Sequence, residues 1–256
     1  MPNTETKTRL DVLLVERGLA PSRARARALI LAGQVKVNGR IMDKAAMPAA
    51  AGADIELVTP DHPYVGRGGI KLAHALDVFQ VEPSGRRALD IGASTGGFTD
   101  VLLRRGALSV VALDVGRGQL DWRLRQDPRV LVREGINARL LRATDLPYLA
   151  DLVSIDVSFI SLRHIFPAVR ACVTPAADIL ALVKPQFEAG RGQVGKGGVV
   201  TDRAVHEAVL SRVTDNAAAS GFARLAMTAS PIEGAAGNVE FFLHLSPRAG
   251  ETGRAR

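Results

Sequence analysis

Cysteine is almost missing: Cys172 stands alone among 256 residues. One thiol forms neither an internal disulfide nor a thiolate metal cluster. That excludes a disulfide-stapled secreted scaffold and points to a reducing cytoplasm. Long apolar runs are missing too, and nothing approaches the about 18 residues of a membrane helix, so no span is expected. The opening stretch Met1-Pro2-Asn3-Thr4-Glu5-Thr6-Lys7 is polar, and no signal peptide is expected. Aromatic residues are only 4% of the chain, with one tryptophan. Trp122 and the scattered His164, His206 and His244 read as packing or surface residues. Acidic side chains are the minority charge: 26 Asp and Glu against 33 Lys and Arg leave a net charge of +7. Attraction to phosphates and release of their counterions then favour a polyanionic partner. The 47% hydrophobic content is that of a globular protein with ample material for a core.

Two familiar phosphate-binding patterns are also incomplete. Residues 87–91, Arg87-Ala88-Leu89-Asp90-Ile91, read as a short strand, followed by Gly92-Ala93-Ser94-Thr95-Gly96-Gly97 and an apolar-periodic helix from Phe98. A dinucleotide fingerprint would need glycine at 94, where Ser94 stands. Further on, Gly190-x-x-x-x-Gly195-Lys196 copies most of a P-loop. It is followed by Gly197, so the magnesium-binding hydroxyl is absent, and it does not directly follow a strand. Both departures argue against an NTPase, and residues 189–198 read as a mobile basic loop that closes over RNA.

What is present divides the chain. Residues 1–59 hold a compact α+β unit. A helix begins at Leu10 and stops at Gly18, and a second runs from the N-cap Ser22 to Gly33. Val35-Lys36-Val37-Asn38-Gly39-Arg40 carries the Asn-Gly signal of a hairpin. Arg23 and Arg27 share one face of the second helix, with Lys36 and Arg40 on the adjoining ribbon. Residues 60–66, with Pro60 and Pro63, read as a linker. Val65-Gly66-Arg67-Gly68-Gly69-Ile70-Lys71 then leads into a helix whose buried stripe is Leu72, Ala75, Leu76 and Phe79. Lys71 sits near the start of that helix, where the helix dipole does not favour a cation.

From residue 67 to 246, strands alternate with helices, the pattern of an α/β fold built on a parallel, doubly wound sheet. Strands are expected at 87–91, 109–114, 129–133, 151–156, 178–184, 223–230 and 239–245. Residues 230–238 are too few for a crossover helix, so the last strand should be antiparallel. Residues 247–256 read as a disordered tail. Ligands of such sheets bind outside the carboxyl ends of the strands, and polar residues gather there: Asp90, Asp114, Asp156 and Lys184, with Glu240 opening the last strand. Asp114 lies about 20 residues beyond the glycine turn, where an acid receives a ribose diol.

These words resemble known families. An acid closing a strand, then Gly-x-x-x-Gly-Gly, is similar to the first motif of S-adenosylmethionine-dependent methyltransferases. Ser-Arg before a helix, then Gly-Gln-Val-Lys-Val-Asn-Gly, resembles an αL-type RNA-binding module. A small-subunit ribosomal protein, pseudouridine synthases and tyrosyl-tRNA synthetases share that module. Lys71, Asp156, Lys184 and Glu240 fall where heat-shock-type (FtsJ-like) RNA 2′-O-methyltransferases have a Lys-Asp-Lys-Glu tetrad. From about residue 8 to 245 the chain resembles the TlyA (hemolysin A) family. The likeness is carried by Gly-Gly-Ile-Lys-Leu, Asp-Ile-Gly-Ala-Ser-Thr-Gly-Gly-Phe-Thr-Asp, Asp-Val-Ser-Phe-Ile-Ser-Leu, Val-Lys-Pro-Gln-Phe-Glu and Gly-Asn-Val-Glu-Phe-Phe.

The resemblance implies a Rossmann-like S-adenosylmethionine-dependent methyltransferase sheet behind a small RNA-binding domain. It further implies 2′-O-methylation of cytidine in ribosomal RNA, with ribosomal subunits as partners. Family members with short ends are associated with large-subunit RNA alone and longer ones with both subunits. The short stretch after Leu245 leans to the first, the N-terminal end matches neither kind, and small-subunit RNA stays open as a second target. Implied cofactor contacts are Asp90, Gly92, Ala93, Ser94, Gly96, Gly97, Asp114, Asp156 and, on the adenine side, Asn137; Phe98 reads as core. Arg23, Arg27, Lys36, Arg40 and Arg67 are the RNA-binding candidates. Chemically, a ribose hydroxyl must lose its proton as it attacks a sulfonium methyl. Lys184 can accept that proton only as a neutral amine, a form that burial or a second cation such as Lys71 favours. Asp156 and Glu240 would orient the two amines. Two other readings compete, a pore-forming hemolysin and an inert RNA-binding assembly factor. The first lacks a lytic helix and the second does not need a tetrad.

Overall fold

Apolar residues three and four apart fold the amino-terminal stretch onto itself. The computed structural model describes residues 7–31, 33–58, 62–234 and 237–248, and the chain divides into units Met1–Pro63 and Tyr64–Arg256. In the first unit, helices α1 (Leu10–Glu16) and α2 (Arg23–Leu31) lie with strands β1 (Lys7–Arg9), β2 (Val35–Val37), β3 (Arg40–Met42), β4 (Pro48–Ala50) and β5 (Ile55–Leu57). β1 pairs with β4, and β3-β2-β5 form an antiparallel sheet. Leu10, Leu14, Ala26, Ile30 and Val35 fill the core. Ser22 Oγ accepts from Arg25 N–H at α2's start, and Gly33 leaves that helix at φ +66°. Asn38 and Gly39 both have positive φ, +49° and +76°, the geometry of a two-residue turn whose twist suits a hairpin.

The second unit holds helices α3 (Gly68–Phe79), α4 (Gly97–Arg104), α5 (Trp122–Gln126), α6 (Phe166–Arg170), α7 (Pro185–Glu188) and α8 (Arg203–Ala219). Its strands are β6 (Arg87–Ile91), β7 (Ser109–Asp114), β8 (Val130–Glu134), β9 (Ala150–Ile155), β10 (Val173–Val183), β11 (Phe222–Ala229) and β12 (Phe241–Pro247). They form one sheet ordered β11-β12-β10-β9-β6-β7-β8. β10, β9, β6, β7 and β8 are parallel, and β12 runs antiparallel to both its neighbours. The central strands are buried on both faces, under two apolar layers that carry the helices, as parallel strands require.

From β6 the chain runs outward through β7 and β8, then crosses to β9 on the other side. The carboxyl ends of β6 and β9 therefore flank a topological switch point, the usual crevice of such sheets. β12, being antiparallel, brings its first residues to the edge where the parallel strands deliver their last. That single reversal places Glu240 beside Lys184.

Several boundaries differ from the sequence expectation for local reasons. β10 starts at Val173, five residues early, because a register shift between Val173 and Asp178 absorbs Pro175. It stops at Val183, since Pro185 opens α7 at its first turn. β12 starts at Phe241, two residues late, and Gly234 N–H donates to Asn238 C=O just before it. Tyr64 and Val65, expected in a linker, pack against the core of the second unit. Pro247, expected in the tail, pairs with Phe222 in the sheet. The rest of the expected tail, 249–256, and linker residues 59–61 lie outside the described residues.

Candidate active site

The turn after β6 is bent by residues with positive φ: Gly92 at +84°, Ser94 at +49° and Gly96 at +97°. Both Gly92 N–H and Ala93 N–H donate to Leu113 C=O, anchoring the turn to β7. A side chain at Gly92 would run into the Asp156 carbonyl, and one at Gly96 into Leu124. Gly97 is pressed against Gly66 C=O and Gly69 N–H. These glycines let backbones meet closely.

Beside the turn, at the switch point, opens a cavity of about 440 Å³. Of the nine cofactor candidates, Gly92, Ser94, Asp114, Asn137 and Asp156 line it. Asp90, Ala93, Gly96 and Gly97 lie outside its lining, in and beneath the turn. Asp90 is wholly buried, and its two carboxylate oxygens accept from the Thr99 and Ser154 hydroxyls at 2.7 and 2.9 Å. Burial pushes its pKa up to about 6 against those hydrogen bonds. It supports the turn from beneath. Ala93 sits in the apolar core, and Gly96 and Gly97 serve packing. Phe98 is core as expected, against Phe242.

The cavity divides by chemistry. Asp114 lies toward one side, its Oδ2 accepting from Ser94 N–H at 2.8 Å and its Oδ1 from Gly116 N–H at 2.7 Å. Each carboxylate oxygen has a second lone pair for a ligand hydroxyl. Leu113, Ile136 and Ile165 supply an apolar wall. Asn137 caps the 3₁₀ turn Ala138–Leu140, accepting from Arg139 N–H.

The four tetrad candidates form two ion pairs. Lys71 Nζ stands 2.5 Å from Glu240 Oε2, with side-chain exposures of 9% and 2%. Lys184 Nζ stands 2.5 Å from Asp156 Oδ1 and donates to Ser158 Oγ at 2.9 Å. Val183 pairs with Phe241, so Lys184 and Glu240 follow and precede partnered residues and face each other across the sheet edge. A side chain at Gly234 would strike the Glu240 carboxylate, so the glycine leaves it room. Lys71, awkward for its helix dipole, has its charge met by Glu240.

Other groups near this rim were not legible in the sequence. Phe159 follows Ser158, is 89% exposed and adopts φ +62°, an uncommon conformation for a bulky residue. Its ring lies 4.9 Å from that of Phe187. Arg139, Arg163 and His164 join the two rings in an open groove that shares Phe159 and Ile160 with the cavity. The loop expected to be mobile is anchored at its far end. Asn238, 1% exposed, accepts from Val200 N–H and donates to Gly198 C=O, each at 3.0 Å.

In the first unit, Arg23, Arg27 and Arg40 are exposed and Lys36 is half-buried, opposite Glu56 on β5. Arg23 shares the carboxylate of buried Asp11 with Arg9, a basic residue that the sequence reading missed. Hydrogen bonding by Arg9, above all, lowers Asp11 to about 2. Arg67, exposed, immediately precedes α3 in the second unit. Among the described residues, no helix is long and apolar enough to cross a membrane.

A switch-point cavity, an antiparallel strand inserted beside β10 and two amine–carboxylate pairs at one rim define a Rossmann-like methyltransferase, preceded by a small α+β unit. Residues 64–246 match the FtsJ-like methyltransferase family and residues 8–55 the S4 domain. The chain belongs to the TlyA (hemolysin A) family of FtsJ-like methyltransferases. It is 49% identical to the 16S/23S rRNA (cytidine-2′-O)-methyltransferase TlyA of Mycobacterium tuberculosis, over 93% of this chain and 90% of that one. It is 40% identical to Hemolysin A of Brachyspira hyodysenteriae, over 92% and 98% of the two chains. A solved structure described as "Putative hemolysin from Streptococcus thermophilus" shares 44% identity at a TM-score of 0.76, covering 96% of this chain and 90% of that one.

Proposed function

We propose that this protein methylates the ribose 2′-hydroxyl of a cytidine in ribosomal RNA, using S-adenosylmethionine. The observation that carries this is the two Lys–carboxylate contacts, Lys71 of α3 with Glu240 before β12 and Lys184 after β10 with Asp156 after β9, the last of which lines the switch-point cavity. The cavity suits the cofactor: an acid for the ribose diol at Asp114, an apolar wall for a base, and close backbone approach at Gly92. S-adenosylmethionine, when bound, supplies a methyl group on an electrophilic sulfonium.

The chain's own residues do the rest. Lys184 Nζ receives the hydroxyl proton, and Asp156, 2.5 Å away, holds the ammonium that results. Ser158 fixes the direction of Nζ. Lys71, held by Glu240, offers a positive charge where negative charge develops on the ribose oxygen. Phe159 and Phe187 present ring faces to an unstacked base, and Arg139 and Arg163 meet the adjoining phosphates. The S4 unit, with Arg9, Arg23, Arg27 and Arg40 exposed, grips structured RNA by its backbone.

Lys184→Ala tests the reading in an assay of labelled methyl transfer to isolated ribosomal subunits. Loss of a positioned general base lowers the rate by on the order of 10²–10⁴-fold, with cofactor binding retained. Full activity in the variant removes Lys184 from the chemistry.

A further inference from the structure

Glu188 is used by nothing in the mechanism above, yet it is half-buried four residues after Lys184. Its Oε2 accepts from the Ser161 hydroxyl at 2.7 Å, and its Oε1 from Leu162 N–H at 2.8 Å. Its own carbonyl accepts from Arg212 of α8 at 2.6 Å. The neighbouring Phe187 meets Phe159 ring to ring. One helical turn, α7, thus touches the segment after β9 at three places and is itself held from behind by α8.

These contacts join the two loops that supply the reacting groups. Asp156, Ser158 and Phe159 lie on the segment after β9; Lys184 lies at the start of the segment after β10. Among the described residues, the side-chain hydrogen bonds and ion pairs between these two segments are of two kinds. One set is Lys184 to Asp156 and Ser158, which must rearrange during proton transfer. The other is Glu188 to Ser161 and Leu162, which need not. Two strand-end loops joined only by contacts that break in the reaction would drift apart.

Resting on the 2′-O-methylation reading, we propose that Glu188 is a positioning residue for methyl transfer. Its carboxylate clamps the loop after β9 to the turn after β10 and keeps Lys184 in register with Asp156, Ser158 and the cofactor cavity. Burial raises the Glu188 pKa, while the two donated hydrogen bonds and the charges of Arg212 and Arg163 oppose the rise. A half-buried carboxyl with both oxygens already engaged suits a fixed clamp better than a group awaiting substrate.

The test compares wild type with Glu188→Gln, Glu188→Ala and Ser161→Ala in two measurements. The first is methyl transfer to ribosomal subunits, resolved into kcat and KM for RNA. The second is calorimetric binding of S-adenosylhomocysteine, since Asp156, Ser158 and Phe159 line its cavity. A misplaced reacting group costs up to roughly 10²-fold, so Glu188→Ala should lose about 10–100-fold in kcat with KM for RNA little changed. S-adenosylhomocysteine binding should weaken several-fold. Glu188→Gln, which keeps an acceptor for Leu162 N–H and a donor for the Ser161 hydroxyl, should recover most of both. Ser161→Ala removes one contact only and should fall between, which keeps the test open if the alanine variant at 188 does not fold. Unchanged kcat and binding in Ser161→Ala and Glu188→Ala overturn the proposal, as does a glutamine variant no better than alanine. If wild type fails to methylate ribosomal RNA, the functional reading falls. The clamp is then judged by S-adenosylhomocysteine binding alone, where equal affinities across the four proteins refute it.

Discussion

Single residues carry two different burdens here, support and chemistry, and Asp90 shows the difference. Its position at a strand end beside the glycine turn reads from sequence as a ligand contact, yet it lies beneath the turn with Thr99 and Ser154. Nothing in the local pattern separates these roles, because Ser154 is 64 residues away and reaches Asp90 through strand pairing. Burial raises its pKa from 3.8 to about 6, so the fold holds a proton there more tightly than the unfolded chain does. The stabilisation is complete below about pH 3.8, declines as pH rises, and is gone above about pH 6, a change of about 3 kcal/mol. Asp90→Asn should remove that slope. Urea midpoints measured from pH 4 to 7 should fall with pH in wild type relative to the variant; parallel curves would contradict the assignment. Gly234 is a second case. Gly234→Ala pushes the Glu240 carboxylate from its place, and methyl transfer should fall at least tenfold with the melting temperature nearly unchanged.

At the scale of elements, strands were legible and their seams were not. The expected strands at 87–91 and 109–114 match β6 and β7, because buried parallel strands read as apolar runs closed by acids. The reversal of β12 relative to β11 was legible from the shortness of residues 230–238; its place beside β10, next to Lys184, comes from the sheet order. What sequence could not show were the ties between loops. Glu188 finds Ser161 27 residues away, and Asn238 finds Val200 38 residues away, by no periodic rule. Asn238 explains why residues 195–200 are pinned: its side chain satisfies the Val200 N–H and Gly198 C=O, and His206 donates to Val200 C=O. Leaving such buried groups unpaired costs about 1–3 kcal/mol. In Asn238→Ala, limited trypsin digestion should cut after Lys196 several-fold faster than in wild type. Equal rates would show that the loop is held by something else.

For the whole molecule, the excess of 33 basic over 26 acidic residues becomes an arrangement only in the fold. Many arginines are spoken for: Arg86 by Asp178, Arg125 by Glu134 and Arg129 by Asp127. Arg27 and Arg40 remain exposed on the S4 unit, and the reading gives them RNA phosphates. Removing one phosphate contact lowers the slope of log affinity against log salt by about 1. Arg27→Ala should therefore weaken RNA binding, most at low salt, and raise KM with kcat unchanged. A salt slope equal to that of wild type would take Arg27 off the RNA surface.

The central claim is that two amine–carboxylate pairs accept the proton and steady the charge as a ribose oxygen takes a methyl group from a sulfonium donor. Nucleoside mass spectrometry of ribosomal RNA, after reaction with wild type and with Lys71→Ala, addresses it directly. The expected result is 2′-O-methylcytidine with wild type and its near-absence with the variant. A methyl group on a base, or equal yields from the two proteins, would contradict it.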